Sequence, residues 1–173
     1  MPCAGKDEFA KILARKGFKA LGMSSICKEM MEEKKLKIDR ESMRTFSTEM
    51  RNRYGNGIFA KHMADKIMRM RGKNIAVSGI RGEAEIDELK KRIGKKLITV
   101  WIDARAGIRF KRMMKRKRDN DPIDLKGFRK RDRIEASWGL LDVRKHADII
   151  IANEGTIPDL RKSALLLLSK LEK

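Results

Sequence analysis

The chain has 173 residues, enough for one domain with a buried core, and 41% of them are hydrophobic, which is ordinary for such a domain. Its charge is unusual, because 43 basic and 24 acidic residues give a formal net charge of +19 at pH 7 and favour partners that carry phosphate, either nucleic acid or small molecules. The two cysteines lack metal-ligand spacing and no apolar run reaches membrane-spanning length, which argues against a cysteine metal site and a transmembrane helix.

The first residues match the end of a phosphate-binding loop, whose pattern is Gly, four residues of any kind, and Gly-Lys-Ser/Thr. Gly5 and Lys6 are in place, residues 1–4 occupy the spacer positions, and Asp7 replaces the hydroxyl residue. An amphipathic helix follows, so a phosphate would meet a helix N-terminus and the ammonium group of Lys6. The alternative is an ordinary disordered N-terminus.

Further along the chain, short apolar runs alternate with amphipathic helices. The runs predict buried strands at 19–23, 74–79, 97–102 and 147–152. Helices are predicted from Gly5 to Gly17, from a Ser24 or Ser25 cap to about 35, from an Asp39 cap to 54, and over 58–70, 83–93, 106–117, 125–138 and 158–171. The methionine-rich stripe of the helices between 39 and 70 is predicted to be core, and Leu160, Ala164, Leu167, Leu168 and Leu171 of the closing helix are predicted to face inward.

This alternation predicts an open α/β sheet with crossover connections. Ligands of such sheets bind beyond the carboxyl ends of the strands. The segment 79–81, Asp103 and Asn153 lie at those ends. We therefore expect them to gather near Gly5 and Lys6.

A phosphate-binding loop also needs a strand in front of it, and that strand is usually central in the sheet. Its loss would remove about 6–12 kcal/mol of apolar burial, which is comparable with the whole stability of a domain, about 5–15 kcal/mol. We therefore expect the first strand to be missing from this chain. The natural protein is expected to begin several residues upstream, with an apolar strand that ends in glycine.

Six stretches carry a resemblance to a known family: 1–6, 50–55, 79–82, 116–122, 131–139 and 147–155. Over essentially its whole length the chain resembles an archaeal group of uncharacterised P-loop kinases related to adenylate kinase and dephospho-CoA kinase. Where that group commonly has Asp-Gly-Ile-Arg after a strand, this chain has Ser78. Asp7 and Ser78 therefore both change the expected Mg²⁺ site, and Asp7 offers a replacement carboxylate.

The resemblance implies a P-loop NTPase fold, a nucleoside-monophosphate-kinase-like three-layer sandwich around a parallel sheet. It implies one domain over 1–173, with an acceptor-binding helical region at about 36–71 and a basic lid at about 105–139, and with ATP and Mg²⁺ as cofactors. The nucleotide would contact Cys3, Ala4, Gly5, Lys6, Asp7, Glu8 and Asn153, with Asp7 on the metal and Asn153 near the adenine. Arg51, Arg53 and Arg81 would bind the acceptor, and Lys6, Arg81, Arg116, Arg118 and Arg131 would be catalytic.

The function implied is transfer of phosphate from ATP to a small phosphorylated acceptor, either a nucleoside monophosphate or a dephospho-CoA-like molecule. The alternatives are a P-loop ATPase that holds nucleic acid on its basic helices, and an inactive relative truncated at the loop. The residues have plainer alternatives as well: Arg81 as a surface residue, Asn153 as a turn cap, and Asp132 and Glu135 as partners of basic residues one turn away. A reduced, cytoplasmic compartment is expected from the cysteine content.

Overall fold

The computed structural model describes residues 1–70, 74–94, 97–116 and 121–171, without the side chains of Arg40 and Trp138. The strands of these parts are β1 (Lys19–Gly22), β2 (Ile75–Ser78), β3 (Val100–Asp103) and β4 (Ile149–Ala152). The helices are α1 (Lys6–Ala14), α2 (Met23–Glu33), α3 (Arg40–Tyr54), α4 (Ile58–Arg69), α5 (Glu83–Ile93), α6 (Ala106–Arg116), α7 (Leu125–Glu135), α8 (Leu141–Lys145) and α9 (Ile157–Leu171). A π-helical turn, Ala136–Leu140, joins α7 to α8.

The strands form two parallel pairs. β1 pairs with β2, with Lys19 opposite Ile75, and β3 pairs with β4, with Val100 opposite Ile149. Within the described residues the two pairs form separate sheets. All four residues of β2 and the first three of β3 line one large cavity of about 3070 Å³, here named the central cavity. The central cavity therefore lies beside both β2 and β3.

The β3–β4 pair is covered on both faces. Ile102 and Ile151 pack on α1 and α9, whereas Trp101 packs on the other side with Ile86 of α5 and Val143 of α8. This division follows from the strand period of two residues, which turns successive side chains to opposite faces. The result is a helix–sheet–helix sandwich, as predicted.

A second core is built almost entirely from helices. It joins α2, α3, α4 and part of α5, and its buried side chains include Met31, Met63 and Leu89. The prediction that the methionine stripe is core is confirmed for these helices, although Met68 is exposed. Flexible methionine side chains suit this junction because they fill irregular gaps between helices that cross at different angles.

Several helix boundaries follow the predicted signals. The Asp39 side chain accepts a hydrogen bond from the backbone N–H of Ser42 at 2.9 Å and caps α3, which ends at Gly55 with a φ of 87°. Gly55 adopts this left-handed conformation without the strain that a Cβ would bring. Among the described residues, no helix is long and apolar enough to span a bilayer.

Three local predictions were wrong. Helix α2 begins at Met23 with Gly22 as N-cap, so Ser24 and Ser25 lie inside its first turn instead of capping it. Strand β1 is exposed at Lys19 and Ala20 and only partly buried at Leu21 and Gly22, because a two-stranded sheet covers one edge of each strand and leaves the other open. Leu171 is exposed at the last turn of α9, beyond the part of the helix that packs on α1.

Candidate functional site

The loop before α1 is tightly curled. Cys3 and Gly5 have left-handed φ values of 58° and 108°, and Ala4 between them is buried. Gly5 is the N-cap of α1, and no side chain in the described part of the chain caps that helix end. Curled backbone of this kind and an uncapped helix N-terminus both direct N–H groups toward an anion. The loop therefore has the geometry of a phosphate site.

The side chain of Asn153 is hydrogen-bonded to this loop. It follows β4, is 5% exposed, and donates from Nδ2 to the carbonyl of Ala4 at 2.8 Å. Its backbone N–H donates to the carbonyl of Asp103 at the end of β3 at 2.7 Å. The expected gathering of Asn153 and Asp103 near Gly5 is therefore found. Contact between Asn153 and adenine stays a prediction.

The two charged residues that open α1 pair with each other. Lys6 Nζ lies 2.5 Å from Asp7 Oδ1, and both side chains are about half exposed. Glu8 instead pairs with Lys11 at 3.3 Å, one turn along the helix. A hard cation or a phosphate that bound at the loop would therefore break the Lys6–Asp7 ion pair and contact one of these side chains itself.

Of the three arginines predicted to bind the acceptor, two line the central cavity. Arg51, in the last turn of α3, donates to Glu85 Oε1 at 3.2 Å and lies 4.9 Å from the ring centroid of Phe59. Arg81 follows β2, and its backbone N–H donates to Glu85 Oε2 at 2.8 Å. Arg53 is exposed, stacks on the ring of neighbouring Tyr54, and is not part of the cavity wall.

The arginines of the segment predicted to be a lid are held by carboxylates. Asp121 accepts from Arg116 at 2.6 and 2.8 Å and from Arg131 at 2.9 Å, and its side chain is 6% exposed. The Asp121 carboxylate raises the pKa of the Arg116 guanidinium, to which the charges of Cys3 and Asp7 also contribute. Arg116 therefore lies within electrostatic range of the phosphate-binding loop. Arg118 lies outside the described residues.

A second ion pair fastens the two lid helices to each other. Arg109 of α6 donates to both oxygens of Asp132 at 2.5 and 2.6 Å and lies over the ring of Phe128. Asp132 therefore pairs across helices, and the alternative of a partner one turn away was wrong. This bidentate pair, together with the contact between the rings of Phe110 and Phe128, joins α6 to α7.

Three residues of the site were not predicted as functional: Glu85, Arg112 and Asp121. Arg112 donates to the side-chain oxygen of Asn153 at 3.4 Å and to the carbonyl of Gly155 at 3.1 Å, so it joins the lid to the loop support. The sequence offered a general signal for both acids, since Glu85 lies three positions after Gly82 of the 79–82 turn and Asp121 follows the basic run at 111–118. Their burial carried no sequence signal.

Metal-binding groups are sparse. Across the described ranges, no group of three or more His, Cys, Asp or Glu side chains is arranged to hold a metal ion. Mg²⁺ in phosphate-transfer sites is usually bound through one or two carboxylates, water and the substrate's own phosphates. Asp7 offers one such carboxylate beside the loop, so its chemistry fits a Mg²⁺ ion bound mainly through a substrate's phosphates.

Comparison with solved structures identifies the fold. The chain superposes on the dephospho-CoA kinase from Campylobacter jejuni with a TM-score of 0.59 and 18% sequence identity, over 96% of this chain and 91% of that chain. Identity this low supports the fold alone. The predicted P-loop NTPase fold with a parallel sheet and flanking helices is confirmed.

Sequence comparison identifies the family, although no protein-family model matches the chain. A UPF0200 protein of Sulfurisphaera tokodaii is 34% identical over 173 residues, which cover 99% of this chain and 93% of that protein. A UPF0200 protein of Methanosarcina mazei is 30% identical over 98% of this chain and 90% of its own length. A UPF0200/UPF0201 protein of Archaeoglobus fulgidus is 29% identical, and this chain spans 54% of its length. The predicted kinship with an uncharacterised archaeal family is confirmed, and the chain belongs to the UPF0200 protein family.

Proposed function

We propose that this chain is an ATP-dependent phosphotransferase that acts on a small phosphorylated acceptor. One observation carries the proposal: the loop with Lys6 and the arginines at 51, 81, 116 and 131 line the same cavity. Phosphoryl transfer asks a protein mainly to position two phosphate groups and to surround them with positive charge. The proposal is supported by positive charge that comes from three separate parts of the chain to the wall of this cavity.

The residues present fit a nucleotide with Mg²⁺. The loop has curled backbone around Gly5, where an added Cβ would lie 2.2 Å from Asn153 Nδ2, so the position accepts only glycine. In the proposal the backbone of Cys3, Ala4 and Gly5 cradles phosphate, and Asp7 holds the metal, which would supply charge neutralisation when bound. Lys6 leaves Asp7 to reach the outer phosphates, and Glu8 and Asn153 border the nucleotide.

The acceptor is expected on the opposite side of the central cavity. Arg51 and Arg81 would bind its phosphate, while Arg116 and Arg131 of the lid, together with Arg118, would contact the transferred group and exclude water. Both a nucleoside monophosphate and a dephospho-CoA-like molecule carry the required phosphate. The fold neighbour is a dephospho-CoA kinase, which supports including that acceptor.

The test measures ADP formation from Mg²⁺-ATP with a panel of nucleoside monophosphates and dephospho-CoA. Lys6→Ala is compared with Lys11→Ala, a charge-matched control on the same helix whose ammonium pairs with Glu8. We expect acceptor-dependent ADP formation in wild type and Lys11→Ala, and a loss of at least about a hundredfold in Lys6→Ala. ADP formation that ignores every acceptor would refute a kinase. No turnover in a folded, ATP-binding protein would favour the inactive relative.

A second function is supported by a basic stripe on α7. Lys126, Arg129, Lys130 and Arg133 recur at helical spacing, are exposed, and have no carboxylate partner within the described ranges, and Lys130 also borders the central cavity. Such a stripe follows a phosphate backbone, so a P-loop ATPase that binds nucleic acid is the alternative proposal. Retention of single-stranded or duplex nucleic acid at about 0.15 M salt would favour it. Release below that salt concentration would leave the stripe as solvated surface.

A further inference from the structure

Glu85 is a buried acid in a chain dominated by basic residues. It is 3% exposed and occupies the first turn of α5, two positions after Glu83, which is exposed and pairs with His146. Burying a carboxylate is costly unless its oxygens are paired and hydrogen-bonded. The partners of the Glu85 carboxylate therefore indicate what a buried acid does at this position.

Each oxygen of Glu85 serves a different part of the proposed acceptor site. Oε1 accepts from the guanidinium of Arg51 at 3.2 Å, and Oε2 accepts from the backbone N–H of Arg81 at 2.8 Å. One carboxylate therefore ties the end of α3 to the turn after β2. These segments are far apart in sequence, so the link places the guanidinium of Arg51 beside the backbone from which the Arg81 side chain extends.

Arg51 is held on more than one side. Its guanidinium lies over the ring of Phe59, with 4.9 Å between Cζ and the ring centroid, and donates weakly to the carbonyl of Ser47 at 3.5 Å. Its side chain is 29% exposed and lines the central cavity. An arginine fixed by a carboxylate and a ring, with part of its surface open to a cavity, is preorganised to bind an anion there.

We propose that Glu85 is a positioning residue that orients Arg51 and the Arg81 turn to receive the acceptor's phosphate. The inference rests on the proposed function, because it names the partner of the same site. Both groups that Glu85 contacts are hydrogen-bond donors, so both of its terminal atoms must be acceptors. Glutamine has nearly the same shape but offers one acceptor and one donor, and it can satisfy only one contact.

The experiment measures binding of AMP and of dephospho-CoA by calorimetry in wild type, Glu85→Gln, Glu85→Asp and Glu83→Gln. We expect Glu85→Gln to weaken binding of the phosphate acceptor about tenfold or more while ATP binding stays within about twofold, since one contact is lost at the acceptor side alone. Glu85→Asp keeps two acceptor oxygens on a shorter arm and should give intermediate affinity. Glu83→Gln, on the same helical turn, should match wild type.

If Glu85 had only a structural role, Glu85→Gln would lower the melting temperature and would weaken the binding of acceptor and of ATP to the same extent. Equal weakening in Glu85→Gln and Glu83→Gln, parallel loss of ATP and acceptor binding, or no binding of either probe to wild type would each overturn the inference. If Glu85→Gln fails to fold, the variant Arg51→Lys is measured in its place. The single ammonium of a lysine at position 51 would pair with Glu85 and leave no second group for a phosphate. Acceptor binding should therefore fall while the melting temperature stays unchanged. Wild type that binds AMP without turnover would refute the kinase and leave the inference standing.

Discussion

Gly5 and Asn153 act as one structural unit at the phosphate-binding loop. Gly5 has a φ of 108°. A Cβ on it would lie 2.2 Å from Asn153 Nδ2, the nitrogen that donates a hydrogen bond to the carbonyl of Ala4. Gly5→Ala therefore meets both backbone strain and a clash with a buried side chain. We expect it to destabilise the fold by about 3–5 kcal/mol and to abolish ATP binding, as measured by chemical unfolding and by calorimetry.

Gly17→Ala provides the matched control for this substitution. Gly17 also has a left-handed φ, 89°, but an added Cβ would meet no atom within 4 Å. Gly17→Ala should therefore lower the free energy of unfolding only through its left-handed backbone, by about 1–2 kcal/mol, and should bind ATP normally. Equal losses in the two variants would mean that the contact with Asn153 contributes nothing to the loop.

Asp121 is the residue on which the geometry of the lid depends. Its buried carboxylate accepts from Arg116 of α6 and from Arg131 of α7. Asp121→Asn removes the negative charge and places an amide N–H₂ donor against guanidinium N–H groups, so we expect a loss of about 2–3 kcal/mol in unfolding free energy, below the value for a fully buried pair because both arginines are partly exposed. Asp142→Asn, which breaks an exposed pair with Lys145, should leave the free energy of unfolding nearly unchanged because solvent screens that pair. Equal effects would refute a central role for Asp121.

The cap of α3 predicts how that helix responds to acid. Hydrogen bonds from Ser42 and then from Lys37 lower the pKa of Asp39 to about 2, against about 3.9 in an unfolded chain. Because the folded pKa is the lower one, the cap stabilises the helix above about pH 4 and this contribution is lost as the pH falls toward 2. Hydrogen exchange of the first α3 amides should therefore accelerate between pH 4 and 2. Asp39→Asn, which caps without titrating, should remove that step; an unchanged step would contradict the assignment.

Helix and strand positions were predictable where a local signal specified them. The Glu83–Ile93 helix and the Asp39 cap follow from glycine, acid and apolar spacing that acts within one or two turns. The contacts of the basic residues at 106–116 were not predictable, because the carboxylates that hold Arg109 and Arg116, Asp132 and Asp121, come from outside that helix. The burial of Glu85 was hidden for a similar reason: Glu83, Glu85 and Glu88 look alike until α3 brings Arg51 against one of them.

At the scale of the whole molecule, basic side chains divide into paired and solvated groups. Beside the central cavity the carboxylate of Glu85 balances Arg51, and between α6 and α7 the carboxylates of Asp121 and Asp132 balance Arg116, Arg131 and Arg109. Other basic side chains of the same helices, such as Lys111, Lys126 and Arg129, are exposed to solvent. The net charge by itself therefore says little about the site, whereas the pairing of individual arginines does.

The facing strands β2 and β3 predict how the fold responds to an added strand. Both line the central cavity, the four residues of β2 are only half buried, and within the described residues neither strand pairs with the other. Met1 packs against the cluster that contains Trp101 of β3, so a segment joined to Met1 would enter beside that strand. Four aliphatic residues and a glycine fused ahead of Met1 should therefore form a parallel strand in the cavity.

The size of the effect follows from burial and chain ordering. Each aliphatic side chain that becomes buried contributes about 1.5–3 kcal/mol, and ordering its backbone costs about 1–2 kcal/mol, so a net gain of a few kcal/mol is expected. For a chain of this length that corresponds to a rise of roughly 5–10 °C in melting temperature, measured by calorimetry. A Gly-Ser extension of equal length is the control and should change nothing. Equal melting temperatures for both fusions would show that the cavity beside β2 and β3 does not accept a strand.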